Sequence, residues 1–375
     1  MRKSHLNSTF LDLIGIDSET FKEGNLARYI TERVEEWGFK VQVDGAGKVL
    51  GSDTGNLYIR IPGTSRGAPP LLLNAHLDTV SPGSRVRPVV NGEKVYSEGD
   101  TILGADCKSG IAIILDILKD VSEGKLKHCP LEVLFTIAEE RGLLGIKNCD
   151  LSMLESKHAL VLDGTGPAGV IVTSAPTQDN LEFLFKGRKS HAGTEPEKGI
   201  NAIQGAAWGI SLMRLGRIDG ETTANIGIIE GGLATNIVPD LVVARGEVRS
   251  INPEKLDSQR SSMIRAALEA ESAIGVGVEV KIERAYDGYV LPNTNPFILL
   301  IREAGKALGM KVQTSSSGGG SDANILNARG IRSVVMNTGA FNPHSEREYL
   351  NLAEFTRASR LCKEIIAIFH EIREE

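Results

Sequence analysis

The chain of 375 residues predicts an α/β architecture, a mostly parallel mixed sheet flanked by helices, with a smaller α+β domain inserted into it. Three observations lead there. Short runs rich in Leu, Val and Ile at 71–75, 131–137, 159–162 and 333–337 show no polar alternation, as expected of strands buried on both faces. Segments of helical period lie among them. Residues 178–289 follow a different order of elements from the rest.

Taken in order, Leu26, Tyr29, Ile30, Val34 and Trp37 recur at helical spacing and predict a helix over 24–37. The strand at 71–75 leads into His76-Leu77-Asp78, and a helix over 109–121 follows Gly104-Ala105-Asp106. The strands at 131–137 and 159–162 run into Glu139-Glu140 and Asp163-Gly164. The middle then reads strand 181–186, helix 200–215, strands 223–229 and 240–249, helix 254–272 and strand 278–285. This is the β-α-β-β-α-β order of a ferredoxin-like unit. Pro-containing hinges at 173–177 and 291–296 bound it, so the expected domains are 1–177 with 290–375, and the insertion 178–289. The strand at 333–337, the segment Asn342-Pro343-His344-Ser345 and an amphipathic helix over 352–372 complete the first domain.

A net charge of -6 without a basic stripe excludes a nucleic-acid partner, and no apolar run is long enough to span a bilayer. The start, Met1-Arg2-Lys3, carries charge with no continuous apolar stretch behind it. Four cysteines without C-x-x-C spacing fit a reducing compartment, so a cytoplasmic location with all thiols reduced is expected.

Each of five distant segments places a potential cation ligand at the end of an apolar run or ahead of a helix: His76, Asp106, Glu139-Glu140, Asp163 and His344. Imidazole nitrogen and carboxylate oxygen suit zinc, cobalt or manganese. Ligands of parallel sheets sit beyond the carboxyl ends of the strands, where these segments converge. His76 and Asp78 are two apart, so on extended chain Asp78 faces the imidazole and can fix its tautomer. Asp106 alone would read as a helix cap; the sharper reading is a carboxylate shared by two cations. Two adjacent glutamates at the end of an apolar strand repel unless a cation compensates them. One would bind metal and the other act as a free base toward water. Cys107 has no partner at ligand spacing.

In combination, H-x-D at 76–78, G-A-D-x-K-x-G at 104–110, the Glu139-Glu140 pair, Leu162-Asp163-Gly164 and the late His344 resemble the co-catalytic zinc metallopeptidase family of peptidase T, carboxypeptidase G and the aminoacylases, peptidase T-like members above all. The resemblance spans essentially the whole chain. It implies that His76 and Asp163 hold one metal, Glu140 and His344 the other, and that Asp106 bridges both. It makes Glu139 the general base and Asp78 the residue orienting His76. Ser190-His191-Ala192-Gly193 resembles the motif whose histidine stabilises an oxyanion, often across a dimer. Asn236 and Arg249 resemble the family's substrate contacts, and Gly320-Ser321-Asp322 its loop beside the substrate. Ile137 stands where relatives often have proline, and Thr165 where a second glycine is common.

The expectation is therefore a metallopeptidase with two divalent ions per chain, zinc first and cobalt or manganese as alternatives. It would be an aminopeptidase of short peptides and a homodimer through the inserted lid domain. An N-acyl amino acid deacylase is the rival enzyme, and a non-catalytic metal-binding scaffold the rival of another class.

Overall fold

The computed structural model describes residues 4–64 and 67–372, so the charged start Met1-Arg2-Lys3 lies outside the described residues. Two compact units emerge: Met1–Thr173 with Leu291–Ser316 and Ser321–Glu375, and Ser174–Val290 with Ser317–Gly320. The short segment Ser317–Gly320 thus groups with the inserted unit, which sequence spacing alone did not indicate.

The first unit is built on strands β1 (Val41–Val43), β2 (Leu57–Ile61), β3 (Leu71–His76), β4 (Pro88–Asn91), β5 (Lys94–Ser97), β6 (Leu131–Thr136), β7 (His158–Thr165), β8 (Arg332–Phe341) and β9 (Tyr349–Asn351). They lie in the order β1-β2-β6-β3-β7-β8-β9-β5-β4. The four central neighbours β6, β3, β7 and β8 are mutually parallel, while the flanking pairs are antiparallel. Every residue of β3 and β6 is buried, which explains their unbroken apolar sequence: both faces are covered. Helix α1 (Ala105–Ser122) supplies much of one cover, with Ile111, Ile114, Leu115 and Leu118 fully buried. Each such side chain contributes about 1.5–3 kcal/mol. Gly110 permits this packing, because a Cβ there would stand 1.9 Å from the carbonyl oxygen of Leu162 in β7. Helices α2 (Asp322–Ala328) and α3 (Leu352–Ile368) complete the elements that matter for the site.

The inserted unit has its own core around Phe183, Phe185, Ala206, Val248, Met263 and Ala267. Its long strands Thr177–Lys186, Thr222–Gly231, Leu241–Ser250 and Gly277–Tyr286 form one antiparallel sheet, backed by helices Ala202–Ser211 and Pro253–Ile274. The first strand lies between the third and fourth, with the second at the edge, which is the ferredoxin-like arrangement. The two ends of the insertion meet: the Gly288 amide donates to the Thr177 hydroxyl at 2.7 Å. No helix among the described residues is long and apolar enough to cross a membrane.

Candidate metal centre

The carboxyl ends of β3, β6, β7 and β8 bring His76, Glu139, Glu140, Asp163 and His344 together, and the start of α1 adds Asp106. His76 Nε2 lies 3.2 Å from Asp106 Oδ1 and 3.3 Å from Asp163 Oδ1. His344 Nε2 lies 2.8 Å from Glu140 Oε1 and 3.4 Å from Asp106 Oδ2. The two oxygens of Asp106 therefore face two different histidines, one on each side. Ligand atoms of His76, Asp106 and Asp163, and separately of Asp106, Glu140 and His344, fall within 4.8 Å of one another. Cys107 falls within the first of these groups as well, and His76, Glu139 and Glu140 form a third; the two groups that share Asp106 offer a nitrogen and oxygen donor set that fits two divalent cations.

Electrostatics point the same way. Burial and then the charge of Asp106 push the Asp163 carboxyl up to about 7. Burial also raises Glu139 well above the usual carboxylate range, with Asp163, Asp322 and Glu140 adding to the effect against the opposing influence of His76. Asp106 is held far below that range although its burial works in the other direction, because His344 and His76 both donate to it. Those bonds to Asp106 and Glu140 in turn raise the His344 imidazole to about 10. Negative charge is thus in excess at a buried place, as a cation site requires. Glu139 is the exception among the ligand-rich residues, since its carboxylate makes no hydrogen bond among the described residues.

The loop carrying the two glutamates is fixed through its backbone. Four successive amides, of Ile137, Ala138, Glu139 and Glu140, donate to Asn56 Oδ1, Glu23 Oε1, Asp78 Oδ1 and Asp78 Oδ2 at 3.0, 3.0, 2.9 and 3.2 Å. Ala138 sits at φ 48°, a conformation that costs a non-glycine residue energy and that these bonds sustain. Thr20 also donates to Asp78, at 2.8 Å. His76 Nδ1 finds the main-chain oxygen of Asp78 at 2.8 Å, nearer than its carboxylate at 3.4 Å. Asp78 therefore serves His76 chiefly through its carbonyl and the glutamate loop through its side chain, a division that the H-x-D spacing does not reveal. Cys107 donates its thiol to the Leu162 carbonyl at 3.0 Å, and burial pushes that thiol far up.

Asp322 lies inside the fold. It is 2% exposed, and its Oδ2 accepts from Thr136 at 2.5 Å and Asn74 at 3.1 Å. Through these bonds it braces β3 and β6 just before His76 and Glu139. Ser321 caps α2 in a capping box with Asn324. A Cβ on Gly320 would come within 2.3 Å of the Tyr286 ring, so this glycine is required for close packing.

In the inserted unit, His191 pairs with Ile237 in a two-stranded ribbon, and the Ala192 amide donates to the Asn236 carbonyl at 2.9 Å. His191 Nδ1 accepts from the amides of Gly193 and Thr194 at 3.1 and 3.2 Å. Those bonds require the neutral tautomer with its proton on Nε2, which makes the exposed edge of the ring a donor. The Arg249 fork is bidentate on Glu247, at 2.8 and 2.9 Å, so a substrate carboxylate would share or displace that partner. Residues that sequence reasoning passed over include Glu23, Asn56, Thr20 and Glu348. Only Glu348 carried a signal, an acidic residue four positions after His344.

The family model of Peptidase family M20/M25/M40 matches residues 72–367. The uncharacterised protein YqjE of Bacillus subtilis is 37% identical over 99% of both chains. A tripeptidase structure from Staphylococcus aureus superposes with a TM-score of 0.91 at 35% identity, covering 99% of each chain. The aminopeptidase PepT of Bacillus cereus gives 0.88 at 34%, covering 98% of this chain and 99% of its own.

The burial of Asp322 yields a test. Asp322→Ala leaves the Thr136 and Asn74 donors unsatisfied and is expected to destabilise the chain by about 1–3 kcal/mol in urea unfolding without substrate. Unchanged stability with a raised KM would return Asp322 to the substrate.

Proposed function

Because the chain belongs to peptidase family M20/M25/M40 and is a peptidase, we propose that it is a metal-dependent aminopeptidase removing the N-terminal residue of short peptides. The observation that carries this reading is Glu139, an unpaired buried carboxylate beside two ligand cradles that share Asp106. A closed structural metal site has no use for such a base, which argues against the scaffold alternative. His76, Asp106 and Asp163 would hold one divalent cation and Asp106, Glu140 and His344 the other, zinc being the first choice for this nitrogen and oxygen set. Bound there, such cations polarise a carbonyl and make water acidic near neutral pH.

Glu139 takes the proton of the attacking water and delivers it to the departing amine. Its burial favours that role, because a carboxyl raised above the ordinary carboxylate range is a stronger base toward water. Asp78 keeps Glu139 and Glu140 in place through their amides, and His76 through its carbonyl. His191 is assigned as the oxyanion donor, with Nε2–H as the donating group. Asn236 and Arg249 are assigned to the far carboxylate of the peptide. Gripping both ends limits substrates to two or three residues. A cavity of about 620 Å³ lined by Ser81, Pro82, Ile102, Asn342, His344 and Arg347 lies beside the His344 ligand and is large enough for a peptide side chain. A cytoplasmic location accords with cysteines that are all free.

A homodimer through the inserted unit is supported by its edge strand, Thr222–Gly231, whose outer side is paired, among the described residues, only at Thr223 and Ala224. Ile228, Ile229 and Leu233 there, and Trp208 and Leu212 on the neighbouring helix side, are 46–76% exposed. An open strand edge carrying apolar side chains is stable in water when a second copy covers it.

Four measurements test these assignments. Glu139→Gln is expected to retain metal yet lose about 10²–10⁴ in turnover, and Glu140→Gln to lose metal; reversed metal contents would exchange their roles. His191→Ala should retain metal and lose about 10²–10³ in turnover, and near-normal turnover would leave it a loop residue. Tripeptides with free amines should be cleaved and their N-acetylated forms resist, whereas faster hydrolysis of acetylated amino acids would install the deacylase reading. Sedimentation velocity should give a dimer for the native chain and a monomer for Ile229→Lys; an unchanged dimer would place the interface elsewhere.

A further inference from the structure

We propose that Glu348 is a positioning residue that sets the separation of the two cation ligands Asp106 and His344. The inference rests on the two-cation reading above. Glu348 is 1% exposed, and both of its oxygens are committed to the backbone at the start of α1. Oε2 accepts from the Gly104 amide at 2.7 Å and Oε1 from the Asp106 amide at 3.0 Å. At its other end Glu348 belongs to the turn that carries His344: its own amide donates to the Ser345 carbonyl at 3.0 Å. His344 and Asn342 stand at φ 59° and 55° in that turn, so its conformation is one that non-glycine residues hold only under external support. A single side chain therefore ties the strained segment bearing one ligand to the main chain bearing the shared one. Those two ligands are themselves 3.4 Å apart, 238 positions distant in sequence (344 − 106).

Only a carboxylate does this. Two amides arriving on one side chain need two acceptor oxygens, and a glutamine would offer one oxygen and set an NH2 group against the second N–H. Aspartate is one methylene short. The comparison that isolates the role is Glu132, also 1% exposed and also accepting backbone amides, those of Glu155 and Ser156, at 2.9–3.1 Å, with no ligand residue among its partners.

The experiment is calorimetric titration of zinc into metal-free native chain, Glu348→Gln and Glu132→Gln. Glu348→Gln is expected to bind zinc about 10–100-fold more weakly, as loss of a residue that orients ligands does, while Glu132→Gln stays within about twofold despite a lower Tm. Native-like zinc affinity in Glu348→Gln would overturn the proposal. Equal weakening in both variants would also overturn it, by reducing Glu348 to general stability. Should Glu348→Gln not fold, hydrogen exchange on the metal-free native chain decides. The Gly104 and Asp106 amides are expected to be protected before any cation is added, and free exchange there would overturn the proposal. A native chain that takes up no zinc would defeat the two-cation reading itself, whereas a native chain binding two ions with an equally competent Glu348→Gln defeats only the role of Glu348.

Discussion

Carboxylates gathered at the buried end of a parallel sheet repel one another, and most of the first unit answers that repulsion. Asp78, Asp106, Glu139, Glu140, Asp163, Asp322 and Glu348 all come from segments that end or begin at this place. Burial raises several of them, among them Asp163 and Glu348, both brought to about 7. Two kinds of positive partner relieve the strain. Backbone amides serve the carboxylates that build the site, and imidazoles, with the cations they would help to hold, serve those that line it.

The division between these two groups is visible in what each oxygen touches. Asp78, Glu23 and Glu348 spend their oxygens on amides of loops that carry ligands. Asp106, Glu140 and Asp163 turn theirs toward His76 or His344. The Glu139 carboxylate makes no hydrogen bond among the described residues, although it lies in a group with His76 and Glu140. The parallel strands make this possible because they deliver loop after loop to the same edge. The close approach of α1 to β7 at Gly110 keeps Asp106 there as well.

The clustering of His76, Asp106, Glu140, Asp163 and His344 was legible because each stands at the end of an apolar run or at the start of a helix, features that can be read locally. The inserted unit was legible because its element order changes. What could not be read are partnerships made across the fold. Glu348 meets Gly104 at a separation of 244 positions, and Thr136 meets Asp322 at 186. H-x-D spacing suggests that Asp78 faces His76, yet the nearer contact is a carbonyl, which every residue type possesses. Nor could Gly-Gly-Gly-Ser-Asp show that its last glycine packs on Tyr286, its serine caps a helix and its aspartate is interior. Composition describes how a loop can bend but not which neighbour it meets. Arg249 likewise carried the right chemistry, and its pairing with Glu247 two residues away on the same strand was available in the i, i+2 pattern.

The meeting of Thr177 and Gly288 bears on how the polypeptide reaches its native state. β7 must find β8 although more than a hundred residues separate them, and a flexible connection of that length opposes the encounter entropically. An insertion with its own apolar core and touching ends can collapse by itself first, taking residues 177–288 out of the free connection. Pairing of β8 then closes a shorter loop than the chain length implies, so the insertion's early collapse lowers the effective contact order of the sheet it interrupts.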